Sequence, residues 1–384
     1  MIPYGRQSIS EDDIQAVVDV LRSELLTQGP VVTAFEQAIC EYTGVNYGVA
    51  VNSATSALHI ACLALGLGKG DWLWTTPNTF VASANCALYC DASVDFVDID
   101  PMTWTMSASA LEEKLIEAKK KNCIPKVVIP VHLCGLPCDM LAIHKLSKEY
   151  GFYIIEDGSH AIGGHYLGKA IGSCNYSDIT IFSFHPVKII TSGEGGMAVT
   201  NDKGLSIKMG LLRSHGITRD SDLMSFKPDG PWYYEQVALG FNYRLTDIHA
   251  ALGLSQLQRL DAFVQRRHQI ANRYDSLLAD LPVTCQRHPE GYFSAMHLYV
   301  IRLKTEQLDK SHLQIFEELR SDILVNLHYI PVHFQPWYRK MGFKEGDFPE
   351  SEAYYNQAIS IPCYPDLTND QVDLVSGKLR RIIA

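Results

Sequence analysis

The sequence lacks any excess of positive charge. Its 33 Lys and Arg stand against 43 Asp and Glu, a formal net charge of −10, with no run of five or six like charges. Nucleic acid is thereby disfavoured as a partner, because a phosphate backbone calls for a basic footprint. Long apolar runs are also missing: no stretch approaches the roughly 18 residues that span a bilayer. The opening Met1-Ile-Pro-Tyr-Gly-Arg-Gln7 has no basic segment leading into an apolar one. The expectation is a cytoplasmic chain with no membrane partner. No repeat with a period of roughly 20–50 residues is present, which excludes solenoids and propellers. Ten cysteines occur, but Cys86-x3-Cys90 and Cys134-Gly-Leu-Pro-Cys138 miss the two-residue spacing of zinc ribbons and fingers. The expectation is therefore no metal, and reduced thiols that mostly pack as small hydrophobes.

What is present is a globular composition, 47% hydrophobic and 20% charged over 384 residues. That length suits two or three domains, or one large α/β domain with a smaller companion. From residue 10 the apolar period alternates between helix-like and strand-like, the pattern of an α/β domain with a mainly parallel sheet. Ser10 and Asp13 form a capping box ahead of Ile14, Val17, Val18 and Leu21. Helices are predicted near Val32–Tyr42, Thr55–Leu65, Thr79–Tyr89, Ala108–Lys121 and Met140–Tyr150. Strands are predicted near Tyr47–Val51, Trp72–Thr75, Val94–Asp98, Lys126–His132, Phe152–Glu156, Asp178–Phe184 and Gly196–Thr200. The longest helical pattern, from Arg244 to about Leu281, is expected to link two domains. The expected division is 1–245, a large domain with an N-terminal arm; 246–281, a linking helix; and 282–384, a small α+β domain.

Three segments carry chemistry. Lys188 follows an apolar strand and precedes the Gly-rich turn Gly193-Glu-Gly-Gly196. Ligands of α/β folds bind beyond the carboxyl ends of strands, and desolvation there depresses a lysine's pKa toward nucleophilicity. In Phe152-Tyr-Ile-Ile-Glu-Asp-Gly-Ser-His160 a strand ends in two carboxylates. Asp157 there can hold a proton on a heterocyclic nitrogen, or one of the pair can cap a following helix. In Val49-Ala-Val-Asn-Ser-Ala-Thr-Ser56 a strand runs into a helix whose first turn carries Ser53, Thr55 and Ser56, a ready phosphate site. The glycine spacing of dinucleotide fingerprints and P-loops is absent. A reactive lysine, a ring-nitrogen carboxylate and a phosphate-binding helix end are together what pyridoxal 5′-phosphate requires.

Asn52-Ser-Ala-Thr-Ser-Ala-Leu58, Glu156-Asp-Gly-Ser-His160, Ser183-Phe-His-Pro-Val-Lys188, Gly193-Glu-Gly-Gly196 and Gly240-Phe-Asn-Tyr-Arg-Leu-Thr-Asp247 extend the pattern. On these segments the chain resembles the DegT/DnrJ/EryC1/StrS sugar aminotransferases over nearly its whole length. The resemblance implies an aspartate aminotransferase fold: a large domain with a mostly parallel seven-stranded sheet and a small C-terminal α+β domain. It implies that Lys188 bonds the cofactor, pyridoxal 5′-phosphate, and that Asp157 partners the pyridine nitrogen. It implies phosphate contacts from Ala54, Thr55 and Ser183, stacking by Phe80, and a place for His160 beside the ring hydroxyl, where many relatives carry Gln. Asn242 matches a residue that reaches the neighbouring subunit's phosphate, implying a homodimer with shared active sites.

Leu26-Thr-Gln-Gly29, Leu212-Arg-Ser-His-Gly216, Ser159-His-Ala161 and the opening Ile2-Pro-Tyr-Gly-Arg-Gln7 resemble one subgroup. Its members make UDP-4-amino-4,6-dideoxy-N-acetyl-β-L-altrosamine for pseudaminic acid, a precursor of cell-surface glycans. The partners implied are a nucleotide sugar and L-glutamate. Candidate substrate residues are Leu26, Thr27, Gly29, Arg213, His215, Arg244 and His328, and His185 stands where it can tune Lys188. Another keto nucleotide sugar remains the main alternative. Lys188 argues against the dehydrating branch that carries His instead, and intact Lys188, Asp157 and Ser183 argue against an idle regulator.

Overall fold

The computed structural model describes residues 1–383. Seven strands form the central sheet: β1 (Tyr47–Val51), β2 (Trp72–Thr75), β3 (Ser93–Phe96), β4 (Val127–Ile129), β5 (Tyr153–Asp157), β6 (Ile179–Ser183) and β7 (Gly196–Thr200). Their spatial order is β1-β7-β6-β5-β4-β2-β3. All pairings are parallel except those of β7, which runs antiparallel to both β1 and β6. The mostly parallel sheet expected from the alternating pattern is present. Strands β6 and β7 are buried at every residue, as a sheet covered by helices on both faces requires.

One core face packs Phe35, Ile39, Val128, Phe182 and Met197. The other packs Leu58, Ile60, Leu73, Ile155 and Ile181. Ile181 and Phe182 are neighbours on β6 and enter opposite cores, following the two-residue period of a strand. A separate core built from Ile270, Tyr274, Ile301, Leu319, Val372 and Leu379 belongs to the small C-terminal unit.

The helical pattern after Arg244 is two helices, Asp247–Leu257 and Leu260–Leu278, broken at Gln258–Arg259. The second helix starts in the same core as the first, through Leu260, Phe263 and Val264, and passes into the C-terminal core at Ile270 and Tyr274. The first lies against the helices Glu11–Leu21 and Pro30–Thr43, and the second against the C-terminal helix Asn369–Ile383. A helix over Lys203–Arg213, capped by the Asp202 side chain on Leu205 N–H, was not expected from periodicity. Its stripe is weak because Met209 is its one fully buried residue. In the C-terminal unit the short strand Ile323–Leu324 pairs in parallel with Ile2–Pro3. All ten cysteines are free, six of them buried. Among the described residues no helix is long and apolar enough to cross a membrane, and no cluster of His, Cys, Asp and Glu has metal-binding geometry.

Candidate active site

Strands β1, β5 and β6 are mutually parallel, so the segments that follow them emerge at one edge of the sheet. These are the segments singled out by their chemistry. At that edge lies a cavity of about 510 Å³ lined by Ala54, Thr55, Phe80, Asp157, Ser183 and Lys188, and also by His160, His185 and His328. The volume is in the range of small-molecule sites, roughly 300–1,000 Å³.

The helix Ala54–Ala64 begins at the cavity. Ser53 caps it by accepting the Ser56 N–H at 3.1 Å, and the Ser56 hydroxyl turns to Asn52 Oδ1 at 2.6 Å. The first two amides, Ala54 and Thr55, have no acceptor inside the helix and remain for a ligand. Gly196, opposite both Val51 and Ser183 in the ladders, makes this cradle possible. A Cβ there would sit 2.4 Å from the Ala54 nitrogen, so no other residue fits.

Strand alternation separates the two carboxylates of β5. Glu156 turns away to His132 Nε2 at 2.8 Å and to the Ser177 and Thr180 hydroxyls, as part of the sheet's internal packing. The Cys138 N–H donates to His132 Nδ1 at 3.1 Å, which leaves Nε2 as the nitrogen that donates to Glu156. Asp157 faces the cavity. Its Oδ1 accepts the Ser159 N–H at 3.0 Å and its Oδ2 the Ser83 hydroxyl at 2.6 Å, while Ser83 meets Thr79 at 2.9 Å. Each oxygen keeps a lone pair for a third donor. No helix begins directly after it, so neither carboxylate is a helix cap.

Burial pulls the Lys188 ammonium down to about 8, against the opposing pull of Asp157. Desolvation, with help from the Lys188 charge, also holds His160 well below the ordinary imidazole value and takes His328 to about 3. These walls are therefore polar but uncharged at neutral pH. His160 Nε2 meets the Tyr329 hydroxyl at 3.1 Å, and its Nδ1 is buried without a partner. His185 is exposed and turns its Nδ1 to the Val187 N–H at 3.4 Å. Phe80 is 59% exposed although large and apolar, the condition of an aromatic that awaits a stacking partner.

These features fit pyridoxal 5′-phosphate: free amides and small hydroxyls at one end, a doubly anchored carboxylate, a depressed lysine, an exposed ring and an orphaned imidazole nitrogen. The other sequence candidates lie elsewhere. Gly29, Arg213 and Arg244 line a separate hollow of about 160 Å³. Leu26, Thr27, His215 and Asn242 are exposed on the same flank, where Thr27 bridges Thr246 and Ser214 bridges Asn242. Of the substrate candidates, His328 alone lines the cavity within this chain.

The family model of DegT/DnrJ/EryC1/StrS aminotransferases matches residues 7–380. The chain belongs to this family. It is accordingly a pyridoxal-phosphate-dependent sugar aminotransferase. The UDP-4-amino-4,6-dideoxy-N-acetyl-β-L-altrosamine transaminase of Campylobacter jejuni strain 81-176 is 38% identical, covering 100% of this chain and 98% of its own. The Bacillus subtilis spore coat polysaccharide biosynthesis protein SpsC is 36% identical, with coverage of 100% and 97%. Among solved structures, Helicobacter pylori PseC, an aminotransferase of pseudaminic acid biosynthesis, superposes with a TM-score of 0.89 at 32% identity, covering 99% and 98%. The Streptococcus pneumoniae putative sugar aminotransferase Spr1654, in its pyridoxamine phosphate form, gives 0.90 at 31% identity, covering 100% and 99%.

Sequence reasoning missed Ser83, Tyr4 and Tyr329. Ser83 had a local signal, since it lies four residues after Thr79 and three after Phe80. Tyr4 lay in the opening segment that resembles the subgroup but carried no sign of its place, and Tyr329 had no signal, because both reach the cavity only by long-range packing.

Proposed function

We propose that the chain transfers the amino group of L-glutamate to C4 of a UDP-linked 4-keto-6-deoxy-N-acetylhexosamine. The product would be UDP-4-amino-4,6-dideoxy-N-acetyl-β-L-altrosamine, for pseudaminic acid. The observation that carries this reading is the full-length relationship to the C. jejuni transaminase and to PseC, together with Lys188 in the cavity.

In this reading the cofactor, when bound, supplies the electron sink that lets a carbon–hydrogen bond break next to nitrogen. Lys188 holds it covalently and, once released, moves a proton to and from the reacting carbon. A pKa near 8 leaves an appreciable neutral fraction for that task near neutral pH. Asp157 holds the proton on the ring nitrogen, and Ser83 and Ser159 fix the carboxylate's rotation. Ala54 and Thr55 amides and the Ser183 hydroxyl take the phosphate, Phe80 covers one face of the ring, and His160 faces the ring hydroxyl.

The working unit is proposed to be a cytoplasmic homodimer in which Asn242 completes the partner's phosphate site. Support comes from the exposed apolar surface nearby: Phe226 at 73%, Trp232 at 71% and Leu239 at 83%. Residues Leu26, Thr27, His215 and Arg244 would then face the partner's substrate, with Gly29 and Arg213 supporting that flank from within the chain. We further read 1–245 as the cofactor domain, 246–281 as the link and 282–384 as the small domain.

A second reading, an aminotransferase for another nucleotide sugar, is favoured by the nearly equal identity to SpsC. One assay separates the two. The pyridoxamine phosphate form is incubated with UDP- and dTDP-linked 4-keto sugars, and products are identified by mass and NMR. Amination of the UDP-N-acetyl sugar at C4 is expected; reaction with a dTDP sugar alone sinks the first reading.

A further inference from the structure

We propose that Cys62 and Cys90 are a peroxide-reactive dithiol, a modification site that closes reversibly to a disulfide. The two thiols belong to helices that pack on each other, Ala54–Ala64 and Ala82–Tyr89. Both helices begin at the Lys188 cavity, where Ala54, Thr55, Ala82 and Ser83 are among the walls. Both end at the thiols, which sets this cluster apart from the site already described. Cys62 lies in the last turn of the first helix, Cys90 is the C-cap of the second, and Cys86 stands one turn before it.

The three sulfurs meet in one core, with Cys62 in hydrogen-bonding reach of both Cys86 and Cys90. Cys86 spends its proton within its own helix, on the Ser83 carbonyl at 3.3 Å. Cys90 lies beside the ring of His59, which is 6% exposed. His59 Nδ1 meets the Tyr243 hydroxyl at 3.1 Å, and its Nε2 is buried with no partner. A buried nitrogen left unpaired marks spare capacity, here next to a thiol proton. Among the described residues no such group has the geometry of a metal site, which leaves thiol chemistry.

The two sulfurs are unequally prepared. The hydrogen bond from Cys62, with help from His59, holds the Cys90 thiol below its ordinary value against the effect of burial. Hydrogen bonding to Cys86 and Cys90 pushes Cys62 well up. Cys90 is thus the nucleophile, and Cys62 keeps its proton as the resolving thiol. Cys40, Cys174 and Cys285 are more exposed, yet burial raises all three. Cys90 is itself 6% exposed and precedes the exposed Asp91, so a small oxidant has a short way in. The step balances with one hydrogen peroxide. His59 takes the Cys90 proton, the thiolate attacks one oxygen, the O–O bond breaks, and the departing hydroxide recovers the proton as water. The Cys62 sulfur then attacks the Cys90 sulfenic acid: the S–S bond forms, the S–O bond breaks, and the Cys62 proton leaves with the hydroxyl as a second water. Two electrons pass from the thiols to the peroxide.

In the test, the holoenzyme is treated with hydrogen peroxide, remaining thiols are blocked under denaturing conditions, and peptides are mapped by mass. The expected product is a Cys62–Cys90 bridge that dithiothreitol reverses, formed about tenfold or more faster than any oxidation at Cys40, Cys174 or Cys285. In Cys62→Ser, Cys90 is expected to stall as the sulfenic acid and be trapped by dimedone. A bridge from Cys62 to Cys86 instead overturns the proposal, as does a Cys90 thiol still free after the three more exposed cysteines have oxidised. The wild-type map decides between these outcomes even where the variant fails to fold.

Discussion

The Lys188 cavity and the flank around Arg213 treat their polar groups in opposite ways. In the cavity, groups are left with capacity to spare. Ala54 and Thr55 begin a helix, His160 Nδ1 has no partner, and Lys188 is desolvated. On the flank, groups are largely satisfied by the chain itself. Arg213 pairs with Glu36 at 2.5 Å and with the Ala50 carbonyl at 3.0 Å. The buried Asp247 accepts the Gly29, Val31 and Val32 amides at 3.1–3.4 Å. A buried polar group costs free energy unless paired, so spare capacity marks where a ligand belongs and its absence marks architecture. The flank's exceptions are the buried Arg213 Nε, which has no partner, and the exposed Asn242 and His215, which stand where a partner subunit would meet them.

The largest expected effect breaks the cavity side of this contrast. Lys188→Arg keeps a cation without a usable nucleophile, and turnover should fall by on the order of 10³-fold or more. The visible cofactor band should vanish with it. In the wild-type apoprotein, capture of an aldehyde probe should quicken as pH rises through about 8, because the neutral amine grows as the ammonium loses its proton. That profile should be absent from the Arg variant. Asp157→Ala should lower turnover by about 10²-fold, and Ser83→Ala by only several-fold, with Ser83→Thr close to wild type. A Ser83→Ala loss as deep as that of Asp157→Ala would mean that Ser83 does more than orient the carboxylate.

On the flank, Gly29→Ala should act through stability. Its Cβ would lie 2.1 Å from Asp247 Oδ2, displacing the carboxylate from the amides it caps. The cost should be about 2 kcal/mol in chemical unfolding, with kcat nearly unchanged in the folded fraction. An unchanged midpoint would contradict the architectural reading of Gly29. The smallest and most discriminating signal comes from mixing. Lys188→Ala and Asn242→Ala chains, each weak alone, should regain activity when refolded together, because one site of each mixed dimer then has both residues intact. No recovery, with mixed dimers shown by mass spectrometry, would place Asn242 outside the shared site.

Much of the cavity could be read locally. Strand ends, a helix cap and a glycine turn have short-range signatures, and Asp157, Ser183, Lys188 and Thr55 sit within or beside them. The flank was harder to read. Arg213 looks like a substrate cation until Glu36, 177 residues away, is seen to pair with it. Likewise the long helical pattern after Arg244 gave no sign of its break, since apolar residues continue at helical spacing through it, with Leu257, Leu260, Phe263 and Val264 all in one core.

Local chemistry by itself pointed to an α/β domain with a mainly parallel sheet and to segments that suit pyridoxal phosphate, because periodicity, capping and strand-end residues are properties of short segments; the resemblance to the family gave the particular fold and the lysine's role. The tertiary structure decided which groups share a cavity. The parallel course of β1, β5 and β6 brings Thr55, Asp157 and Ser183 to one edge, alternation sends Glu156 the other way, and pairing between Ile2–Pro3 and Ile323–Leu324 delivers Tyr4. The pairing of β1 with β7 and that of Ile2–Pro3 with Ile323–Leu324 join residues more than 100 positions apart, and no local pattern encodes them.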